Sequence, residues 1–118
     1  MVKSYKDLRI FKISYQLALQ VHRQTLNFPD FEKYELGSQL RRAAISIPVN
    51  IAEGYGKKSS VAEFKRFLMI AQGSKEEVKV LLELAKDLGY LNNDTFQRLY
   101  NQYDELGKQL YSMIVNWK

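Results

Sequence analysis

The sequence predicts an all-α fold, an antiparallel up-down-up-down four-helix bundle, on three observations. Apolar residues recur at alternating steps of three and four over long stretches. No β-like alternation lasts for the length of a strand. Only two prolines, Pro29 and Pro48, interrupt the 118 residues, and the turn signals between periodic segments are short. The length suits one domain, residues 1–118, with a real core.

The first helix is expected from Lys6 to Asn27. It stops before Phe28-Pro29 because the residue ahead of a proline is pushed out of helical geometry. The second runs from Tyr34 to Tyr55 and contains Pro48, which removes a backbone donor and frees the carbonyl of Ala44, so a kink is expected there. Gly54 or Gly56 is expected to end it in left-handed geometry. The third helix starts at Ser59-Ser60, with Glu63 placed to complete a capping box, and ends near Leu88 with Gly89 as its stop. The fourth starts at Asn92 or Asn93, with Asp94 near its positive end, and reaches Trp117.

The last two helices carry the clearest seams. Phe64, Phe67, Ala71, Ser74, Val78, Leu81, Ala85 and Leu88 form one; Phe96, Leu99, Tyr103, Leu106, Leu110, Met113 and Trp117 form the other. Such seams pack knobs into holes at a shallow angle, and short connections make neighbours antiparallel. Ala71, Gly73 and Ser74 permit close approach, expected against Ala43-Ala44.

Helix 1 is apolar on two sides. At 100° per residue, Leu8, Phe11, Tyr15, Ala18, Leu19 and Leu26 cover one side, and Ile10, Ile13, Leu17 and Val21 nearly the opposite one. A bundle consumes one stripe, so Ile10, Ile13, Leu17 and Val21 are the candidate oligomer interface, with a few ordinary exposed aliphatics as the competing reading. His22 falls with Tyr15, Leu19 and Leu26 and reads as a packing residue.

The net charge is +5, and residues 1–27 carry Lys3, Lys6, Arg9, Lys12 and Arg23 against Asp7 alone. A basic end suggests an anionic partner such as nucleic acid. Arg9, Lys12 and Arg23 form one candidate nucleic-acid-binding ridge; Lys57, Lys58, Lys65 and Arg66 form a second. A plain solvated lysine-rich surface is the competing reading.

Much chemistry is excluded. There is no cysteine, which removes disulfides, thiolate zinc sites and a cysteine nucleophile, and fits a reducing cytoplasm. A single histidine removes two-histidine zinc sites and paired Glu-x-x-His di-iron motifs. No serine or acid stands at triad spacing from it. "GYGKKSS" (residues 54–60) resembles a phosphate loop only weakly: one residue separates the glycines, an extra lysine intervenes, and a helix precedes. No apolar run approaches the ~20 residues of a membrane span, and the polar N-terminus lacks a signal peptide's apolar segment. The expectations are no enzyme activity, no cofactor, no metal, no membrane and no small-molecule substrate.

Helix 2 also carries a polar line, Gln39, Arg42, Ser46, Asn50 and Glu53, beside its apolar one. Asn50 and Glu53, if buried, would need partners such as Arg41, Arg42 or a capping amide. "QLRRAAISIPVNIAEGYGKKSSVAEFKRFLMIAQGSKEEVKVLLELAKDLGY", with the opening "YKDLRIFKISYQLA", resembles the four-helix-bundle family of the protein encoded by intervening sequences in bacterial 23S ribosomal RNA genes. Arg41, Arg42, Ser46, Pro48, Asn50, Glu53 and Gly54 match its motif. The resemblance implies a homopentamer arranged as a ring, no catalytic activity, and kinship to the accessory protein of diversity-generating retroelements, a basic pentamer that binds a reverse transcriptase and nucleic acid. Two functional readings follow: an oligomeric protein binding RNA or a ribonucleoprotein, and a protein-interaction scaffold such as a reverse-transcriptase accessory subunit.

Overall fold

The structure, a computed structural model describing residues 1–118, is all α-helical with no strand. Four long helices make up the body: α1 (Arg9–Thr25), α3 (Leu36–Gly56), α4 (Val61–Asp87) and α5 (Asn93–Asn116). A 3-10 turn, Tyr5–Asp7, precedes α1, and a one-turn helix α2 (Asp30–Lys33) joins α1 to α3. The molecule measures 45 × 23 × 22 Å. Its long axis matches α4, whose 27 residues span about 40 Å at ~1.5 Å each.

The N-terminal start is later than periodicity indicates. Ser4 and Asp7 form a reciprocal capping box, Ser4 accepting from the Lys6 amide and Asp7 from the amides of Lys3 and Ser4. Leu8 is then extended (φ −72°, ψ 130°), so the α-helix begins at Arg9. Ser60 caps α4 by accepting from the Glu63 amide at 3.2 Å, yet Glu63 gives its carboxylate to Arg66, so the expected box is only half made. Asn92 caps α5 through the Thr95 amide at 2.7 Å.

The glycines correct another expectation. Only Gly89 has positive φ, 85°, and it stops α4 as read. Neither Gly54 nor Gly56 is left-handed; both lie within α3. Gly54 is instead buried beneath α4, against Phe64 and Phe67.

A contiguous cluster of 25 buried residues fills the body. On α5, Phe96, Leu99, Tyr103, Leu106 and Leu110 are buried; on α4, Phe64, Phe67, Ala71, Val78, Leu81 and Ala85. The α4 seam runs out at Leu88, which is 49% exposed. Gly73 faces outward with nothing around it, while Ser74 bonds to Ser46 of α3 at 2.8 Å.

Helix α1 reverses the interface assignment. Ile10, Leu17 and Val21 are 2%, 2% and 0% exposed and belong to the core, with Ile13 packed against its margin. They are the inner wall and cannot be the surface offered to another copy. The α-helical wheel shows two apolar sides but not which one meets α5. Buried Ser14 and Thr25 lie on the same wall; each hydroxyl donates to a carbonyl three residues back, of Phe11 and His22. That local bonding lets a polar side chain occupy a core position at little cost.

Candidate nucleic-acid interface and an open apolar groove

A chain of aromatic contacts gathers much of the positive charge at one end of the body. Arg9 lines a shallow depression with Met113, Asn116 and Trp117. The Trp117 ring meets Phe64 edge-on with centroids 4.7 Å apart, and Phe64 meets Tyr55 at 6.1 Å. Over Tyr55 stands the Lys58 ammonium, 4.2 Å from the ring centroid. Lys57 and Arg66 lie over Phe67 at 5.2 and 4.6 Å. Rings under cations hold them in place and add cation–π attraction. Lys12 joins from α1, sharing a depression with Tyr5 and Lys6.

The backbone explains why the cations of the α3–α4 turn face outward. Lys57 is the C-cap of α3, its amide donating to Gly54 and Tyr55. The next bonds, Lys58 N–H to Tyr55 and Ser60 N–H to Lys57, wind the turn tightly into the α4 cap. Both lysines therefore sit beside the negative end of α3 and remain exposed. Lys65 is half-buried. Arg66 is partly neutralised: its Nε donates to Glu63 at 2.9 Å, which holds the Glu63 carboxyl below its ordinary value.

Arg23 does not join this cluster. It lies fourteen residues from Arg9 on the same helix, about 21 Å along the axis. It is exposed near the opposite end, where Arg41 braces the chain by donating to Thr25 Oγ1 and the Lys33 carbonyl, both at 2.8 Å. There Tyr90 donates to Glu32 at 2.9 Å, which pushes the Tyr90 hydroxyl pKa up.

The motif residues of α3 divide by face. Pro48 and Gly54 are buried. Ser46 and Asn50 are half-buried and bonded: the Asn50 amide donates to the Ser46 carbonyl at 2.8 Å and to its hydroxyl at 3.0 Å. Arg42 and Glu53 are exposed and make no ion pair, so Glu53 takes neither Arg41 nor Arg42 as partner.

Between α1 and α3 runs a feature the sequence reading placed on the wrong side of α1. A groove of about 460 Å³ is lined by Phe11, Tyr15, Ala18, Leu19 and His22 of α1 and by Ile45, Pro48, Val49 and Ala52 of α3, with Tyr5 at its end. Tyr15, Ile45 and Val49 are 49%, 49% and 45% exposed. His22 lies at the rim of this groove, exposed, and not within the packing. The signal for the groove was present in the period of α3: Ile45 and Val49, four apart, lie outside its core stripe. No three acid, histidine or cysteine side chains stand close enough to hold a metal ion, and no helix is long and apolar enough to cross a membrane.

These features describe a small all-helical protein with a basic end and an uncovered apolar face. Residues 6–112 match the family described as the 23S rRNA-intervening sequence protein, and the chain belongs to that family. It is similar to a crystal structure, at 1.70 Å, of a protein of unknown function from the S23 ribosomal protein family of Bacteroides thetaiotaomicron. The two share 25% identity over 91% of this chain and 96% of that one, with a TM-score of 0.82. No curated protein matches the sequence.

Proposed function

We propose that this protein is a non-enzymatic, self-assembling bundle, homopentameric as the family resemblance implies, that holds RNA or a ribonucleoprotein at its basic end. The observation that carries this reading is the ring-to-ring link, Trp117 to Phe64 to Tyr55, that puts Arg9 at the start of α1 and Lys57 and Lys58 of the α3–α4 turn at the same end of the body, with Lys12 one turn along from Arg9. Cations brought together from distant sequence positions form a field that a single helix does not. The readout is of backbone phosphate and not of base sequence, since the aromatic rings at this end are packed under the cations instead of being offered to bases. Copies in a ring multiply a weak contact through avidity.

The antiparallel up-down-up-down order belongs to the same proposal. It is supported by pairings in which low residue numbers meet high ones: Thr25 with Arg41, Ser46 with Ser74, Gly54 with Phe67, Lys79 with Asp104, and Gln20 with Arg98. A kink at Pro48 is supported by its missing amide inside α3.

The test is a salt titration of binding to a single-stranded RNA and to an RNA duplex. Affinity is expected to fall linearly in log–log form as salt rises. Absence of binding at low salt, or an affinity indifferent to salt, overturns the reading and leaves a protein-interaction scaffold in its place.

A further inference from the structure

The depression beside Arg9 differs in chemistry from the rest of the basic end. It lies between the first turn of α1 and the last turns of α5 and holds about 370 Å³, close to the lower bound of about 300 Å³ for ligand pockets. Arg9 is its one charged lining residue. It makes no ion pair, and the nearest acid along the chain, Asp7, is committed to the Lys3 and Ser4 amides. Gln109, Ser112 and Asn116 line the α5 side, and at 100° per residue they share a sector of about 60° on that helix. Asn116 donates to Ser112 Oγ at 3.2 Å, which leaves its carbonyl oxygen and a second N–H free. Met113 and Trp117 make the rest of the lining apolar. Tyr55 and Phe67 lie under Lys58, Lys57 and Arg66, but no cation covers Trp117. Glu105, the nearest acid on the same side of α5, is outside the lining, about 6 Å along the axis from Gln109 and about 16 Å from Asn116.

We infer that this depression is a single-nucleotide subsite, where the basic end takes one unpaired nucleotide of a single-stranded RNA. The inference rests on the RNA reading proposed above and adds strand selectivity to it. A nucleotide has three chemically distinct parts, and each has a counterpart here. The phosphate meets the Arg9 guanidinium, whose fork suits two phosphate oxygens at once. The apolar face of the base meets Trp117 and Met113. The polar edge of the base meets the side chains of Gln109, Ser112 and Asn116. Inorganic phosphate would leave the apolar lining and the amides unused, and a wholly apolar ligand would leave Arg9 and three polar side chains without partners. The amides both donate and accept, so they suit the edge of any base, and the site selects an unpaired strand without reading its sequence. In a duplex the bases are stacked and their edges engaged, which keeps them out. The cations for the flanking phosphates are Lys12, one turn along α1, and Lys118, next to Trp117 in the chain, both exposed.

Trp117 is the one tryptophan of the chain and so reports on its own site. Its fluorescence is followed while the full chain is titrated with guanosine 5′-monophosphate and, separately, with inorganic phosphate. The nucleotide is expected to quench it saturably and phosphate to leave it unchanged. Arg9→Gln, and the double variant Gln109→Ala with Asn116→Ala, are each expected to weaken nucleotide binding by about tenfold or more, through loss of one charged contact or of two hydrogen bonds. Asn116 is exposed and Gln109 half-buried, so the core stays in place; urea midpoints check this, and Arg9→Gln carries the test if the double variant is unstable. Anisotropy with a single-stranded RNA and a duplex of equal length gives the second reading. The double variant is expected to lower the ratio of single-strand to duplex affinity by about tenfold and to leave the salt slope unchanged, since it removes no charge. No saturable quench by the nucleotide, an equal quench by phosphate, or an unchanged affinity ratio overturns the subsite, and the basic-end reading then stands if RNA binding still falls with salt. An absence of RNA binding at low salt overturns the basic-end reading and the subsite with it.

Discussion

Gly54 lies so close under Phe67 that a Cβ built on it stands 2.7 Å from the Cβ of Phe67, with a Phe64 ring carbon at 3.1 Å. Helices α3 and α4 meet here backbone to side chain, and no flexible group can yield. Glycine is retained for contact and not for turning.

Gly54→Ala is therefore expected to destabilise. Alanine ordinarily gains about 1 kcal/mol over glycine inside a helix, but overpacking costs about 1–3 kcal/mol, and here the methyl meets a rigid Cβ. Gly107→Ala is the control. Its added Cβ meets the Lys75 Cε at 2.7 Å, the far end of a side chain that can swing away. Urea denaturation should show a lower midpoint for Gly54→Ala and an unchanged or higher one for Gly107→Ala.

Tyr103 carries a buried hydroxyl with no hydrogen-bond partner, in the middle of the α5 seam. Burial pushes its pKa up, since a phenolate there would lose its hydration. An orphaned hydroxyl carries a desolvation penalty of about 1–3 kcal/mol. Tyr103→Phe keeps the ring and removes the penalty, so thermal unfolding should move upward. A melting temperature that falls would mean that the hydroxyl is bonded in solution.

At the basic end, Lys57→Glu with Lys58→Glu is expected to weaken RNA binding by about tenfold or more and to flatten its salt dependence, because fewer counterions are released. Arg98→Glu, at the other end beside Gln20, should leave both quantities close to wild type. Fluorescence anisotropy across a range of salt separates the two. Equal losses in both variants would reduce the basic end to net charge alone.

The N-terminal turn should respond to acid. Asp7 is held below its ordinary value of 3.8, chiefly by the amides of Lys3 and then Ser4. A carboxyl lowered in the folded state stabilises above its unfolded pKa, and that contribution disappears as pH falls through the folded value. The amide resonances of Lys3 and Ser4 should thus titrate together, with a midpoint below 3.8, and Asp7→Asn should abolish the transition. The group is fully exposed, so overall stability should hardly follow it.

Local physics made several elements legible. Ser60, Gly89 and Asn92 mark their helix ends because a capping hydroxyl, a positive φ and a capping amide are properties of a few adjacent residues. The seams of α4 and α5 were visible because a residue's period along a helix survives whatever it packs on. The short helix Asp30–Lys33 leaves no mark in the sequence, being one turn long and without a period of its own.

What the sequence determined by itself was the all-helical class, the order and approximate ends of the four long helices, and the presence of two apolar sides on α1. Tertiary structure decided which side of α1 is wall and which is groove, because that choice depends on where α3 and α5 stand, information absent from a single helical period. It turned Ile10, Leu17 and Val21 inward and left Tyr15 open beside Ile45 and Val49. It also set Arg9, by way of Trp117, Phe64 and Tyr55, at the same end as Lys57 and Lys58 and left Arg23 at the other, since positions far apart along a chain share an end only when helices are brought side by side.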